Sequence, residues 1–155
     1  MTRLEDFDVL LMLDPRSGDL FPFSSHGFKV GTGRLSRISS RSRGLLFLDQ
    51  NGRLLELTSV NDIRPDLWGR LHRFFGGAYS ISVSLIEKPT DLDQLKEMIL
   101  TGIIRYKEYL DGDDSWSFVL LPIDHIKKAI RDAKDTKSLF ERLDLPDAVD
   151  CLDLL

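Results

Sequence analysis

The hydrophobic positions of the chain switch between two spacings, and the switching predicts most of its elements. The cleanest two-residue period runs from Ala78 to Ile86, where Tyr79, Ile81, Val83 and Leu85 alternate with Ser80, Ser82 and Ser84. Successive side chains of a strand point to opposite faces, so this is a strand with an apolar and a polar side. Leu45 to Leu48 lead into Asp49-Gln50-Asn51-Gly52, and the chain returns as Arg53 to Thr58. Asn-Gly accepts the positive φ angles of a type I′ turn, so a β-hairpin turning at Asn51-Gly52 is predicted. Alternation on the return strand is imperfect, which predicts one face better buried than the other. Phe7 to Leu13 is a short apolar run closed by Asp14-Pro15-Arg16-Ser17-Gly18, the pattern of a buried strand and a turn. Residues 19–33 carry three phenylalanines among glycine and proline breaks, and are expected to be a loop with a short strand around Phe28 to Val30. Trp116 to Leu121 is expected to be a further strand, closed by Pro122.

Elsewhere the period is helical. Arg64-Pro65 opens a stretch in which Leu67, Trp68, Leu71, Phe74 and Phe75 share one side, up to Gly76-Gly77. A longer helix is expected from about residue 90 to 110. Thr90 is placed to cap it, with Asp93 three residues on, and Leu92, Leu95, Met98, Ile99, Ile103, Tyr106 and Leu110 form its apolar face. Asp124 starts another helix with Ile126, Ile130 and Ala133 inward, and Thr136 to Leu143 a last short one. Strands are not regularly separated by helices. The predicted fold is therefore α+β: a mostly antiparallel sheet containing the Asn51-Gly52 hairpin, packed by the long helix near 90–110 and by shorter helices. Residues 1–155 suit a single domain.

Composition narrows the function. The chain is 42% hydrophobic and 30% charged, as globular proteins are. Its net charge of −4 supplies no global field toward nucleic acid or membrane. Charge is uneven, however. Residues 1–77 hold 11 Lys/Arg against 9 Asp/Glu, a net of +2, and residues 78–155 hold 10 against 16, a net of −6. The single cysteine, Cys151, cannot form an internal disulfide, which favours a reducing compartment. The apolar run from Val9 to Leu13 is too short for a signal-peptide core, and no stretch approaches a membrane span. A cytoplasmic protein is expected.

Candidate chemistry is sparse. No G-x-S-x-G or Gly-rich phosphate loop is present, and Gly31-Thr32-Gly33 does not extend into a dinucleotide fingerprint. His26, His72 and His125 lie far apart, without the spacing that zinc ligands use. Asp111-Gly112-Asp113-Asp114 gathers carboxylates but lacks the EF-hand pattern, and reads as a charged turn. No catalytic residue, metal or cofactor is expected.

Two features remain as contact surfaces. Arg34, Arg37, Arg41 and Arg43 crowd ten residues, and guanidinium groups make paired hydrogen bonds to carboxylate or phosphate. The segment contains no aromatic for base stacking, so nucleic acid is the less expected partner. Leu100 and Ile104 stand one turn apart on the long helix, outside its main apolar face and rimmed by Glu97, Lys107 and Glu108. The alternative readings of both are a solvated edge and a covered helix face. Together they favour a non-catalytic interaction protein, of adaptor, inhibitor or immunity type, that presents a charged surface to another protein. A small-molecule binder or enzyme of unfamiliar type, with aromatics of residues 21–28 and 67–79 lining a pocket, is the alternative.

Overall fold

In the computed structural model of the chain, the described residues are 9–24, 29–30, 40–62, 68, 71, 79–110 and 116–146. Strands β1 (Val9–Leu13), β2 (Leu20–Ser24), β3 (Lys29–Val30), β4 (Leu46–Asp49), β5 (Leu54–Asp62) and β6 (Tyr79–Lys88) form a sheet in the order β2-β1-β4-β5-β6-β3. Every neighbouring pair is antiparallel. Helix α1 (Leu92–Glu108), a 3-10 turn (Ser117–Leu120), α2 (Ile123–Arg131) and α3 (Thr136–Arg142) follow. The fold is α+β with an antiparallel sheet, as the periodicity predicts.

The register explains why several strands are apolar runs and not alternations. Leu11 lies opposite Leu48, which lies opposite Leu54, and Leu13 opposite Leu46. These side chains share one face and pack with Leu95, Ile99 and Ile103 of α1, and with Ile126, Ile130 and Leu139 behind it. Leu10, Met12, Phe47, Leu55 and Leu57 fall on the other face and are buried as well. A strand buried on both sides reads as continuous hydrophobicity. Each such leucine contributes roughly 1.5–3 kcal/mol on burial. One irregularity resolves the broken alternation of β5. A register shift between Leu57 and Ser59 bulges the strand at Thr58, whose hydroxyl donates to the Ser84 carbonyl at 3.0 Å. The extra residue brings Val60 onto the same face as Leu57, opposite Val83 and Leu85.

The starts of α1 and α3 follow their caps. The Asp91 carboxylate, one residue later than the predicted Thr90, accepts the Asp93 and Gln94 N–H groups and starts α1. Asp135 and Ser138 form a reciprocal capping box on α3. Ile126, Ile130 and Ala133 are buried as their spacing predicts.

Three local expectations change. The hairpin turns at Asn51-Gly52, but only Gly52 has positive φ (79°), and Asn51 does not. Gly52 N–H donates to the Asp49 carbonyl at 2.9 Å and Asp49 N–H to that of Arg53 at 3.1 Å. This is a three-residue loop ending in a left-handed glycine, not a type I′ turn. Trp116 to Leu121 forms no strand. Its carbonyls at Val119 and Leu121 accept the Lys107 ammonium, and the Trp116 indole N–H donates to the Leu143 carbonyl at 2.7 Å, so the segment winds into a 3-10 turn. Finally, Leu20–Ser24 is a strand at the sheet edge, where Pro22 costs no ladder bond. The helix predicted after Arg64-Pro65 lies outside the described residues, apart from Trp68 and Leu71, which are 78% and 40% exposed.

Candidate functional site

The loop from β1 to β2 is organised by Asp14. Its N–H donates to the Asp19 carbonyl (2.9 Å), and its own carbonyl accepts the Gly18 N–H (2.8 Å), with Gly18 at a φ of 77°. Its carboxylate accepts the Arg16 backbone N–H and the Arg16 Nε–H, both at 3.0 Å. Burial pushes the Asp14 carboxyl upward. The hydrogen bonds from the side chain and backbone of Arg16, its charge, and a further bond from Ser17 outweigh that and hold the group below its ordinary range. Asp14 therefore stays ionised and fixes Arg16 against the turn.

Two other elements bring arginines to the same end. The segment entering β4 passes beside this turn, and Arg16 Nη2 donates to the Arg41 carbonyl. Arg41 and Arg43 are exposed, and neither has a carboxylate partner among the described residues. From the helix side, Arg105 donates to the Ser17 carbonyl, and its Nε lies 3.3 Å from Asp19 Oδ1. Helix α1 comes this close because residue 102 is glycine. A Cβ there would sit 2.8 Å from Leu20 Cγ and 3.0 Å from the Gly18 carbonyl.

Phe21 separates two open grooves. One, of about 440 Å³, is lined by Met12, Asp14, Arg16, Ser17, Asp19, Phe21, Arg41 and Leu45. The other, of about 290 Å³, lies between β2 and α1 and is lined by Asp19, Phe21, Arg105, Tyr106 and Tyr109 among others. Phe21 meets Tyr106 edge-on at 6.1 Å, and Tyr109 is 72% exposed. Arg16, Arg41 and Arg105 thus stand around two carboxylates, Asp14 and Asp19. Arg16 and Arg105 engage these two carboxylates, and Arg41 has no carboxylate partner among the described residues.

Of the residues singled out in the sequence, Arg41 belongs to this end, Arg43 is exposed two residues further along, and Arg34 and Arg37 lie outside the described residues. Leu100 is half-buried against the core, and Ile104, next to Arg105 on α1, is 37% exposed. His125 is exposed on α2. His26, His72, Cys151 and Asp111 to Asp114 lie outside the described residues. Among the described residues no three His, Cys, Asp or Glu side chains gather as metal ligands, and no helix is long and apolar enough to cross a membrane. A third cleft, of about 400 Å³, lies between the β5–β6 pair and the start of α1 and holds the Lys88–Glu56 ion pair at 2.5 Å.

Sequence reasoning missed Arg16 and Arg105: Arg16 pairs locally with Asp14, but its contact with Arg41, like the approach of Arg105 to the turn, comes from segments far apart in the chain. A weak signal existed for the turn: Asp14 and Gly18 repeat the Asp-to-Gly spacing of Asp49 and Gly52 with one residue more. No protein-family model, curated protein or solved structure matches this chain.

Proposed function

We propose that the protein is a non-catalytic interaction protein, working in a reducing compartment such as the cytoplasm, whose contact surface is the arginine-bearing end of the sheet. Its partner is a protein with an acidic surface. The observation that carries this reading is the convergence of Arg16, Arg41 and Arg105 from three separate chain segments onto one end, with the exposed Arg43 two residues from Arg41 and neither Arg41 nor Arg43 ion-paired among the described residues. Guanidinium groups stay protonated throughout the physiological range, which suits them to holding carboxylates and not to moving protons. Arg16 is preorganised by Asp14, so little side-chain freedom is lost when it meets a partner.

Affinity capture with the full chain tests this. Wild type retains a partner that the Arg41→Glu, Arg43→Glu double variant loses by about tenfold or more, as reversal of a contacting charge does. Equal retention by both, or recovery of nucleic acid as the only partner, contradicts the reading.

A further inference from the structure

The groove beside Arg41 has an apolar floor and a cationic rim. Met12 and Leu45 are buried beneath it and Phe21 is half-buried. Its volume of about 440 Å³ admits one or two side chains and not a folded element. On the rim, Arg16 engages Asp14 through Nε and Nη2 and the Arg41 carbonyl through Nη2, and its Nη1 hydrogens have no partner among the described residues. Arg41 has no carboxylate there either. Asp14 and Asp19 stand in the same wall.

We propose that this groove receives a linear segment of the protein partner in which an apolar side chain stands next to one Asp or Glu. The apolar side chain packs on the exposed part of Phe21, over the buried Met12 and Leu45, and the carboxylate lies between Arg16 and Arg41. This rests on the arginine end being the contact surface. A bare phosphate or a nucleic-acid backbone engages the guanidinium groups but leaves the exposed part of Phe21 wet. A polyacidic segment places a further carboxylate against Asp14 and Asp19, where like charges repel. One acid beside one apolar group satisfies both the floor and the rim.

The test uses three acetylated and amidated tetrapeptides, Ser-Leu-Asp-Ser, Ser-Ala-Asp-Ser and Ser-Leu-Asn-Ser, titrated into the 15N-labelled full chain. The first produces saturating amide shifts at Met12, Phe21, Arg41 and Leu45. Its affinity falls roughly fivefold or more when Leu becomes Ala, Asp becomes Asn, or the protein carries Arg41→Glu or Arg16→Gln. Equal response to all three peptides, shifts confined to another surface, or no saturable shift overturns the proposal. If no peptide fills the groove while Arg41→Glu, Arg43→Glu still abolishes partner capture, the groove fails and the contact surface stands. If the first peptide fills it while capture is unaffected, the contact surface fails and this role of the groove with it.

Discussion

Two turns at opposite ends of the sheet share their local chemistry and differ in what surrounds them. At each, an aspartate at the end of a strand accepts the N–H two residues on, at 3.0 Å: Arg16 for Asp14 and Asn51 for Asp49. Each also takes an arginine Nε, Arg16 at 3.0 Å and Arg53 at 2.8 Å. Each carbonyl accepts the N–H of a glycine of positive φ, Gly18 or Gly52. Yet Asp49 is fully buried, and a Cβ on Gly52 would sit 2.5 Å from the Lys137 backbone nitrogen at the start of α3. Asp14 opens onto a groove, and the nearest atom to a Cβ on Gly18 is Arg105 Nη1 at 3.7 Å. The same aspartate–arginine–glycine device therefore locks the fold at one end and displays charge at the other. Burial, not the motif, decides which.

The glycines give the largest expected contrast. Gly52→Val combines a strained φ with a backbone collision and is expected to cost about 3–5 kcal/mol in urea unfolding, against about 1–2 kcal/mol for Gly18→Val, which carries the strain alone. Equal losses break the comparison. The aspartates come next. Asp49→Ala leaves the Arg53 guanidinium and two backbone N–H groups without their buried acceptor and is expected to cost about 3 kcal/mol. Asp14→Ala, whose pair with Arg16 is open to water, costs about 1 kcal/mol or less.

A smaller effect appears in acid. Asp14 is held below 3.8 despite its burial, mainly by Arg16, and Asp135 is lowered chiefly by the Ser138 N–H. A carboxyl whose folded pKa is depressed contributes fully above its unfolded value and loses that contribution as pH falls through the folded one. Thermal melts from about pH 5 down to about pH 2.5 therefore fall less steeply for Asp14→Asn and Asp135→Asn than for wild type. Parallel slopes would remove these groups from the acid response. Smallest of all is the expected stability effect of Arg41→Glu, within about 0.5 kcal/mol, because the residue is exposed and makes no ion pair among the described residues.

Much of the fold was legible where one period dominates. The alternation of β6, the inward faces of α1 and α2 and the hairpin at Asn51-Gly52 follow from local pattern alone. The strand Leu20–Ser24 was hidden because Pro22 breaks a strand pattern, unless the strand lies at an edge, and edges are set by tertiary order. Trp116 to Leu121 misled because six residues of β-type composition fit a strand as well as a turn. What decided it was a lysine on α1 and a carbonyl at Leu143, both distant in sequence. The candidate site was half legible. Arg41 and Arg43 stood out as a cluster, whereas Arg16 and Arg105 join them only once β1, β2 and α1 are assembled.

On the proposed reading, the arginine end binds the partner and the opposite end holds the fold. The most direct test of that reading is one pair of measurements on the Arg41→Glu, Arg43→Glu variant: partner capture and melting temperature. Capture is expected to fall about tenfold or more while the melting temperature stays within about 2 °C of wild type. Unchanged capture at unchanged stability would contradict it.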